Sequence, residues 1–423
     1  MAWHSRLLSL LPSRRTSRQA RCFTALSHAP SLEEAVAELS QQLKQAGLRQ
    51  AADLALVFCS SAYASDLQRV LPLLRGAINS HHWIGCCGGG VVGTDPQGQA
   101  LELEHQPGIS LTLLQLPETE LELFQLETAQ LPDLDGSSQQ WADWAGAHPE
   151  GGHSMLLFID PTCTAINDLI SGLDYAYPFA QKIGGIAGQH SANHGSLLFG
   201  DGVVDGAIGC LIKGAWRIDP VVAQGCKPIG PVYEIDQAER NVLLRLSAKE
   251  QQGTPVACLQ RVLETLSPAE RELVRHSLFL GVAKSNFQLP ASGDSAEPAF
   301  LVRNLIGVDP RTGSVAVAER LRVGQQVQFQ LRDAEASRQE QQQLLRRQST
   351  RHSEPLAALL FACLGRGEGL YGTVNGDVDG CREIFPGLPI GGAFCNGEIG
   401  PVAGATHLHG YTASWGFLVP NNP

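Results

Sequence analysis

The sequence predicts an α/β fold of mixed α+β character, with two related α/β domains whose mixed, largely antiparallel sheets are covered by helices. Three features predict it. Short apolar runs bounded by Gly, Pro, Asn and Asp alternate with segments of helical periodicity, as in β-α-β units. Between Leu101 and Leu126 apolar and polar residues alternate, as in half-buried antiparallel strands. A similar grammar then recurs after an interruption at Pro228 to Pro231. The chain has 423 residues, 43% of them apolar, enough for roughly two to three cores of ordinary size.

In chain order, Ser31-Leu32-Glu33-Glu34 has the capping-box arrangement, and Leu32, Val36, Leu39 and Leu43 follow on one helical face, ending at Gly47. A strand at Leu54 to Cys59, a helix at Ser65 to Ile78 and a strand at Trp83 to Cys87 open into Gly88-Gly89-Gly90. Residues 133 to 153 read as an exposed connection. A buried strand, Met155 to Ile159, ends at Asp160-Pro161, and a helix spans Thr164 to Tyr175. Ser196 to Phe199 and Val203 to Ile212 form a hairpin turned by Asp201-Gly202. A polar helix is expected around Asp236 to Lys249, with the domain boundary between residues 230 and 231. Beyond it come a helix at Thr254 to Leu266, strands at Leu278 to Val282, Ala299 to Ile306 and Val315 to Ala318, a solvated helix at Asp333 to Gln348 anchored by Leu344 and Leu345, and a buried strand at Leu356 to Leu364.

Charge separates the first thirty residues from the rest. Arg6, Arg14, Arg15, Arg18 and Arg21 precede the first acid, Glu33, although the whole chain carries a formal charge of -11. The basic stretch has the composition of an organellar transit peptide, expected over residues 1–24, and Arg21-Cys22-Phe23-Thr24 resembles a mitochondrial cleavage site. Mitochondrion is the expected destination, with chloroplast the alternative. An acidic body argues against nucleic acid as partner. No apolar run approaches the ~18 residues of a membrane-spanning helix. Eleven cysteines without a C-x-x-C argue against a disulfide framework or a zinc ribbon, and most lie in apolar runs as small core residues.

Several motifs invite a site. Gly88-Gly89-Gly90-Val91-Val92-Gly93 satisfies G-x-G-x-x-G, but Thr94-Asp95-Pro96 is a turn where a dinucleotide fold needs a helix N-terminus. Those glycines read equally as a ligand-facing surface, with amides for an anion, or as a packed turn. Asn375 to Gly380 resembles half an EF-hand, yet position twelve is Pro386, so the segment is taken as a turn. His190 with His194, and His407 with His409, are read as loop residues. A nucleophilic reading pairs Cys363 with His407 or His409, and no spacing fixes that pair. The densest constellation runs from Phe361 to Gly404. There Arg366 and Glu398, in glycine-rich strand ends, suit a carboxylate and an ammonium group respectively, and Asn396 stands beside Glu398. The competing reading is that Arg366 and Glu398 pair with each other and brace the turns.

These segments resemble a known family. Phe361-Ala362-Cys363-Leu364-Gly365-Arg366, then Leu388-Pro389-Ile390-Gly391-Gly392 and Gly397-Glu398-Ile399-Gly400-Pro401, are similar to the C-terminal half of FIST proteins. Ile84-Gly85-Cys86, Leu157 to Pro161 and Ile183 to Gly188 are similar to landmarks of the N-terminal half, and Leu331-Arg332-Asp333-Ala334 to a segment before a helix. The resemblance spans about Ala51 to Phe417 and divides the chain into a FIST N-type domain, 31–230, and a FIST C-type domain, 231–423. The family often has Gly-Glu where this chain has Gly90-Val91, so that acidic contact is not carried over. The resemblance implies a non-enzymatic sensor of a small molecule such as an amino acid or another small carboxylate. Its expected contacts are Gly88, Gly89, Gly90, Arg366, Asn396 and Glu398, with a protein partner for signalling output. It leaves as alternatives a protein-interaction scaffold related to F-box substrate receptors, although no F-box is visible, and a haem sensor, for which no residue is assigned. No other cofactor and no metal is expected.

Overall fold

The computed structural model describes residues 19–249, 251–284 and 300–421. Most of the expected transit peptide lies outside them. The fold is a mixed α+β structure. Three segments of the chain repeat one plan, and a separate barrel is inserted into the third.

The first repeat runs β1 (Arg21–Ser27), α1 (Leu32–Gln45), β2 (Ala52–Ser60), α2 (Leu67–Ala77), β3 (Ser80–Gly88), a hairpin of β4 (Gly90–Thr94) and β5 (Ala100–Glu104), then β6 (Ile109–Gln115). The second runs β7 (Thr119–Leu126), α3 (Ser138–Ala145), β8 (Gly152–Ile159), α4 (Ile166–Ala176), β9 (Gln181–Ile186), the hairpin β10 (Leu197–Phe199) and β11 (Gly202–Val204), then β12 (Ala207–Gly214). The third opens with β13 (Trp216–Ala223) and is interrupted by β14 (Cys226–Glu239), β15 (Val242–Ala248), β16 (Gln251–Gly253), α5 (Pro255–Thr265), α6 (Pro268–Ser277), β17 (Leu278–Ala283), β18 (Phe300–Asp309), β19 (Ser314–Val317) and β20 (Gln326–Arg332). It resumes with α7 (Ala334–Arg351), β21 (Ala357–Cys363), α8 (Gly367–Tyr371), α9 (Gly376–Ile384), β22 (Ile390–Cys395), the hairpin β23 (Glu398–Val402) and β24 (Ala405–His409), and β25 (Ala413–Pro420).

The sheet orders are β1-β6-β2-β3-β10-β11, β7-β12-β8-β9-β23-β24 and β13-β25-β21-β22-β4-β5. Each repeat supplies four strands to its own sheet and lends its hairpin to a neighbour's: the first to the third, the second to the first, the third to the second. In each, the second and third strands pair in parallel and the rest antiparallel.

Sequence dictates this close packing at a few positions. Gly85, Gly184 and Gly392 sit at equivalent places on the third strands, where an added Cβ would fall 1.8, 1.8 and 1.9 Å from the carbonyl oxygens of Val57, Leu157 and Leu360. Only glycine allows that approach. Beside them Phe58, Phe158 and Phe361, all fully buried, face one another edge-on, with centroids 5.7, 5.8 and 5.4 Å apart. The three rings close a triangle on a pseudo-three-fold axis, in the geometry that aromatic quadrupoles favour. Helices pack on the outer faces, each sheet over its own helical layer.

The inserted segment forms a closed antiparallel barrel, β14-β20-β17-β18-β19-β15, closed by β14 pairing with β15. Its core of Ile229, Tyr233, Leu280, Val282, Phe329 and others is distinct from the three-repeat core and is plugged by Cys258 and Val262 of α5. Where a helix is expected around Asp236 to Lys249, the structure has the β14–β15 turn. Two register shifts in that ladder break the period-two pattern that would have marked a strand. The expected boundary between residues 230 and 231 falls inside β14. The stretch 133–153, expected to be an exposed connection, holds α3, capped by Ser137 and burying Trp141 completely. Asn375 to Gly380 leads into α9 and is not a simple turn. At the N-terminus β1 pairs with β6 from Arg21 onward and buries Phe23, so a boundary at residue 24 would cut through a sheet strand. Among the described residues no helix is long and apolar enough to cross a membrane.

Candidate functional site

The third strands of the repeats end together near the axis, and their backbones lock in a ring. Gly188 N–H donates to Cys87 O (2.8 Å), Gly89 N–H to Phe394 O (3.0 Å), and Asn396 N–H to Ile186 O (2.9 Å). Donors and acceptors are equivalent residues of the three repeats. Gly88 to Gly90 and Asn396 to Glu398, far apart in sequence, are thereby brought to one place. The amide of Gly89 is already engaged, so the expectation that these glycine amides serve an anion is corrected at that position. Gly88 and Gly188 are there for close packing: a Cβ on Gly188 would lie 2.7 Å from Gly88 C. Asn396 is exposed, and the exposed Leu364 side chain covers Gly89.

The departure from three-fold equivalence marks the site. Cross-strand partners of equivalent third-strand residues are Leu197 opposite Cys86, Val91 opposite Ala393, and Glu398 opposite Gly185. Two repeats fill this fully buried position with an aliphatic side chain and the third with a carboxyl. Glu398 Oε2 accepts the Thr412 amide at 3.1 Å, while Oε1 has no hydrogen bond of ordinary geometry. Burial drives its pKa well above the usual carboxylate range; the Thr412 amide, the Arg366 charge and the Cys363 thiol oppose that rise only in part.

Arg366 is not free to read a ligand. It is fully buried, and its Nε and Nη2 grip Asp377 at 2.9 and 2.7 Å, while Nη2 also reaches the Tyr371 hydroxyl (2.6 Å) and Nη1 the Tyr411 carbonyl (3.2 Å). The bracing partner is therefore Asp377 and not Glu398, which corrects both readings of Arg366. Tyr371 O–H donates to Asp377 Oδ1 at 2.8 Å. Beneath lies Glu102, whose Oε1 accepts the Asp377 and Val378 amides at 3.0 and 2.9 Å at the start of α9 and whose Oε2 is unpartnered. Burial first, and the Asp377 charge second, push Glu102 up to about 8. A carboxyl raised above its unfolded value binds more protons folded than unfolded, so its stabilisation is full at acid pH and is lost as pH rises toward 8. Glu102→Gln keeps the acceptor for both amides. It is expected to flatten the fall in melting temperature between pH 5 and 8, which a pH series of thermal melts measures.

The other candidates separate. Cys363 lies half-buried at the end of β21, and its side-chain neighbour is Glu398. His409 donates from Nε2 to Gly400 O (3.0 Å), and burial lowers it to about 3; His407, beside it on β24, is lowered to about 4 for the same reason. Both are strand residues, not loop residues, and His409 spends its Nε2 on Gly400 O. His190 Nε2 lies 3.2 Å from Ser196 Oγ, while Asp160 accepts the Ser196 and Thr162 amides. No relay from Asp160 through His190 results. Among the described residues no group of three or more His, Cys, Asp or Glu is placed to hold a metal ion. Asp377, Tyr371, Glu102 and Cys395 escaped the sequence reading. Aligning the three glycine-rich strand ends would have exposed Glu398 as the odd residue; no such signal points to Glu102.

Residues 53–249 match the FIST N domain and residues 255–401 the FIST C domain. A protein of Mycobacterium tuberculosis (strain CDC 1551 / Oshkosh) is 30% identical over 404 residues, 94% of this chain and 100% of its own length. One of Mycobacterium bovis (strain ATCC BAA-935 / AF2122/97) is 31% identical over 394 residues, 92% of this chain and 96% of its own. An F-box/LRR-repeat protein of Arabidopsis thaliana shares 38% identity over 85 residues, 19% of this chain and 16% of the relative. A solved structure of cyanuric acid hydrolase overlaps 66% of this chain and 85% of its own at 11% identity and a TM-score of 0.25, too slight a likeness to carry fold or chemistry across.

Proposed function

The chain belongs to the FIST family, whose domains are sensory, ligand-binding modules, and from that premise we propose that it senses a small molecule without turning it over. The ligand is placed at the strand ends around the pseudo-three-fold axis, with Asn396, the strand end at Gly88 to Gly90, Cys363 and Glu398 as the candidate residues. The observation that carries this reading is Glu398, a fully buried carboxyl with one oxygen unpartnered, at a position the other two repeats fill with Val91 and Leu197. A buried polar atom without a partner is costly, and a polar ligand atom hydrogen-bonded to it would relieve that cost. Amino acids and small organic acids, rich in such atoms, are the proposed class.

A thermal-shift screen of amino acids and organic acids on the full chain tests the proposal. A ligand at 100 times its Kd is expected to add about 2.7 kcal/mol of stability and raise the melting temperature. Glu398→Leu, which copies the residue of the second repeat, should fold and lose that shift. A shift that survives in Glu398→Leu moves the ligand elsewhere; the absence of any shift counts against sensing. For output we infer a protein partner that distinguishes the liganded state, to be sought by co-purification with and without the hit compound. The arginine-rich first residues support delivery to mitochondria ahead of chloroplasts, which import into the two isolated organelles decides.

A further inference from the structure

We infer that Cys363 and Cys395 form a redox-active dithiol, with Glu398 as its proton acceptor and donor, that closes to an intramolecular disulfide on reaction with a low-molecular-weight disulfide. The two cysteines are direct register partners on the parallel strands β21 and β22. Residues so paired point to the same side of a sheet; here that is the axis side, shared with the pairs Leu359 with Gly391 and Phe361 with Ala393. Neighbouring strands lie about 4.8 Å apart, inside the Cα separation of about 4.4–6.8 Å that a disulfide bridges. Both thiols are free.

The pair has the asymmetry that exchange requires. Cys363, half-buried at the last residue of its strand, can be reached from solvent, whereas Cys395 is fully buried behind it. The fully buried Glu398 carboxyl lies beside the Cys363 thiol, and its charge also acts on Cys395. Gly365 N–H points at Cys363 Sγ from 3.5 Å, a donor suited to a sulfur anion. The equivalent positions in the first repeat are Ser60 opposite Gly88, so the dithiol and the acid occur together in the third repeat and not in the first. Burial raises the Cys363 thiol to about 11, which makes the ionised carboxylate necessary for attack.

The steps balance. With Glu398 ionised, the Cys363 thiol proton passes to the carboxylate, and sulfur attacks one sulfur of the small disulfide. That S–S bond breaks, and the departing thiolate takes the proton from Glu398. Cys395 then loses its proton to Glu398 and attacks the mixed disulfide at Cys363, and a second small thiol leaves with that proton. The two cysteines are oxidised, and one small disulfide is reduced to two thiols. No bound small-molecule ligand is required, so this inference stands or falls apart from the sensing proposal.

The test uses the full chain and glutathione disulfide, followed by denaturation, alkylation and peptide mass mapping. Two thiols should lose alkylation together, and a Cys363–Cys395 cross-linked peptide should appear. Cys395→Ser should stop with one glutathione on Cys363, Cys363→Ser should give neither product, and Glu398→Gln should slow the first step by about 10-fold or more at neutral pH. The wild-type chain carries its own controls. Cys22 and Cys226 are also half-buried but pair in register with Leu114 and Arg332, and Cys59 and Cys87 pair in register but are both fully buried. The inference is overturned if Cys363 remains free while Cys22 or Cys226 is glutathionylated, if Cys363 stops at the mixed disulfide in the wild-type chain, or if Glu398→Gln reacts at the wild-type rate.

Discussion

Arg366→Met is expected to destabilise the protein by about 3–5 kcal/mol, the cost of removing one member of a buried ion pair and leaving the other charged and unpaired. The guanidinium and Asp377 are both fully buried, and the same arginine holds the Tyr371 hydroxyl and the Tyr411 carbonyl. Asp377 also sits in the first turn of α9, over Glu102, so its stranded charge would face a second carboxyl with no cation between them. Chemical denaturation with tryptophan fluorescence measures the loss. The double variant Arg366→Met with Asp377→Leu should recover much of it, because the stranded charge is gone. If Arg366→Met alone costs less than 1 kcal/mol, the pair is not the brace described here, and Arg366 becomes available again as a ligand group.

The second large effect concerns three residues at once. Gly85→Ala, Gly184→Ala and Gly392→Ala should each cost about 4 kcal/mol or more, or prevent folding, because each new Cβ would fall within 2 Å of a neighbouring carbonyl oxygen and main chain cannot yield as a flexible side chain can. Gly184 and Gly392 also adopt positive φ, 149° and 153°, where an L residue is strained as well. Gly76→Ala, in α2 with open space around the added carbon, is the control and should be neutral or slightly stabilising. Soluble yield and melting temperature across the four variants test whether the three repeats are mechanically equivalent. Unequal losses would show that the axis is not shared evenly.

Much of the element order was legible because it rests on local signals. The Ser31 cap, the faces of α1 and α5 and the apolar runs of β2, β8 and β21 are written in consecutive residues. The exchange of hairpins is not, since β4 and β23 pair with strands about three hundred and two hundred residues away along the chain, and no periodicity carries such partners. Gly88 to Gly90 and Asn396 to Glu398 each stand out locally as glycine-rich strand ends, but that their backbones meet near the axis is visible only in the structure. From sequence Arg366 reads either as a ligand group or as the partner of Glu398; its actual partner, Asp377, lies eleven residues on, in a segment that reads as a turn. Charge partners inside a core follow from packing, which the local sequence does not display.

The exchanged hairpins also set the order in which the molecule can be completed. The third sheet needs β4 and β5 from the first repeat, and the second needs β23 and β24 from the last. During synthesis the early strands must therefore wait, with unpaired edges, until nearly the whole chain has left the ribosome. Long-range pairing of this kind slows folding and prolongs exposure of apolar surface. A nascent chain of this design is expected to keep unpaired edges for longer than one whose strands pair with near neighbours.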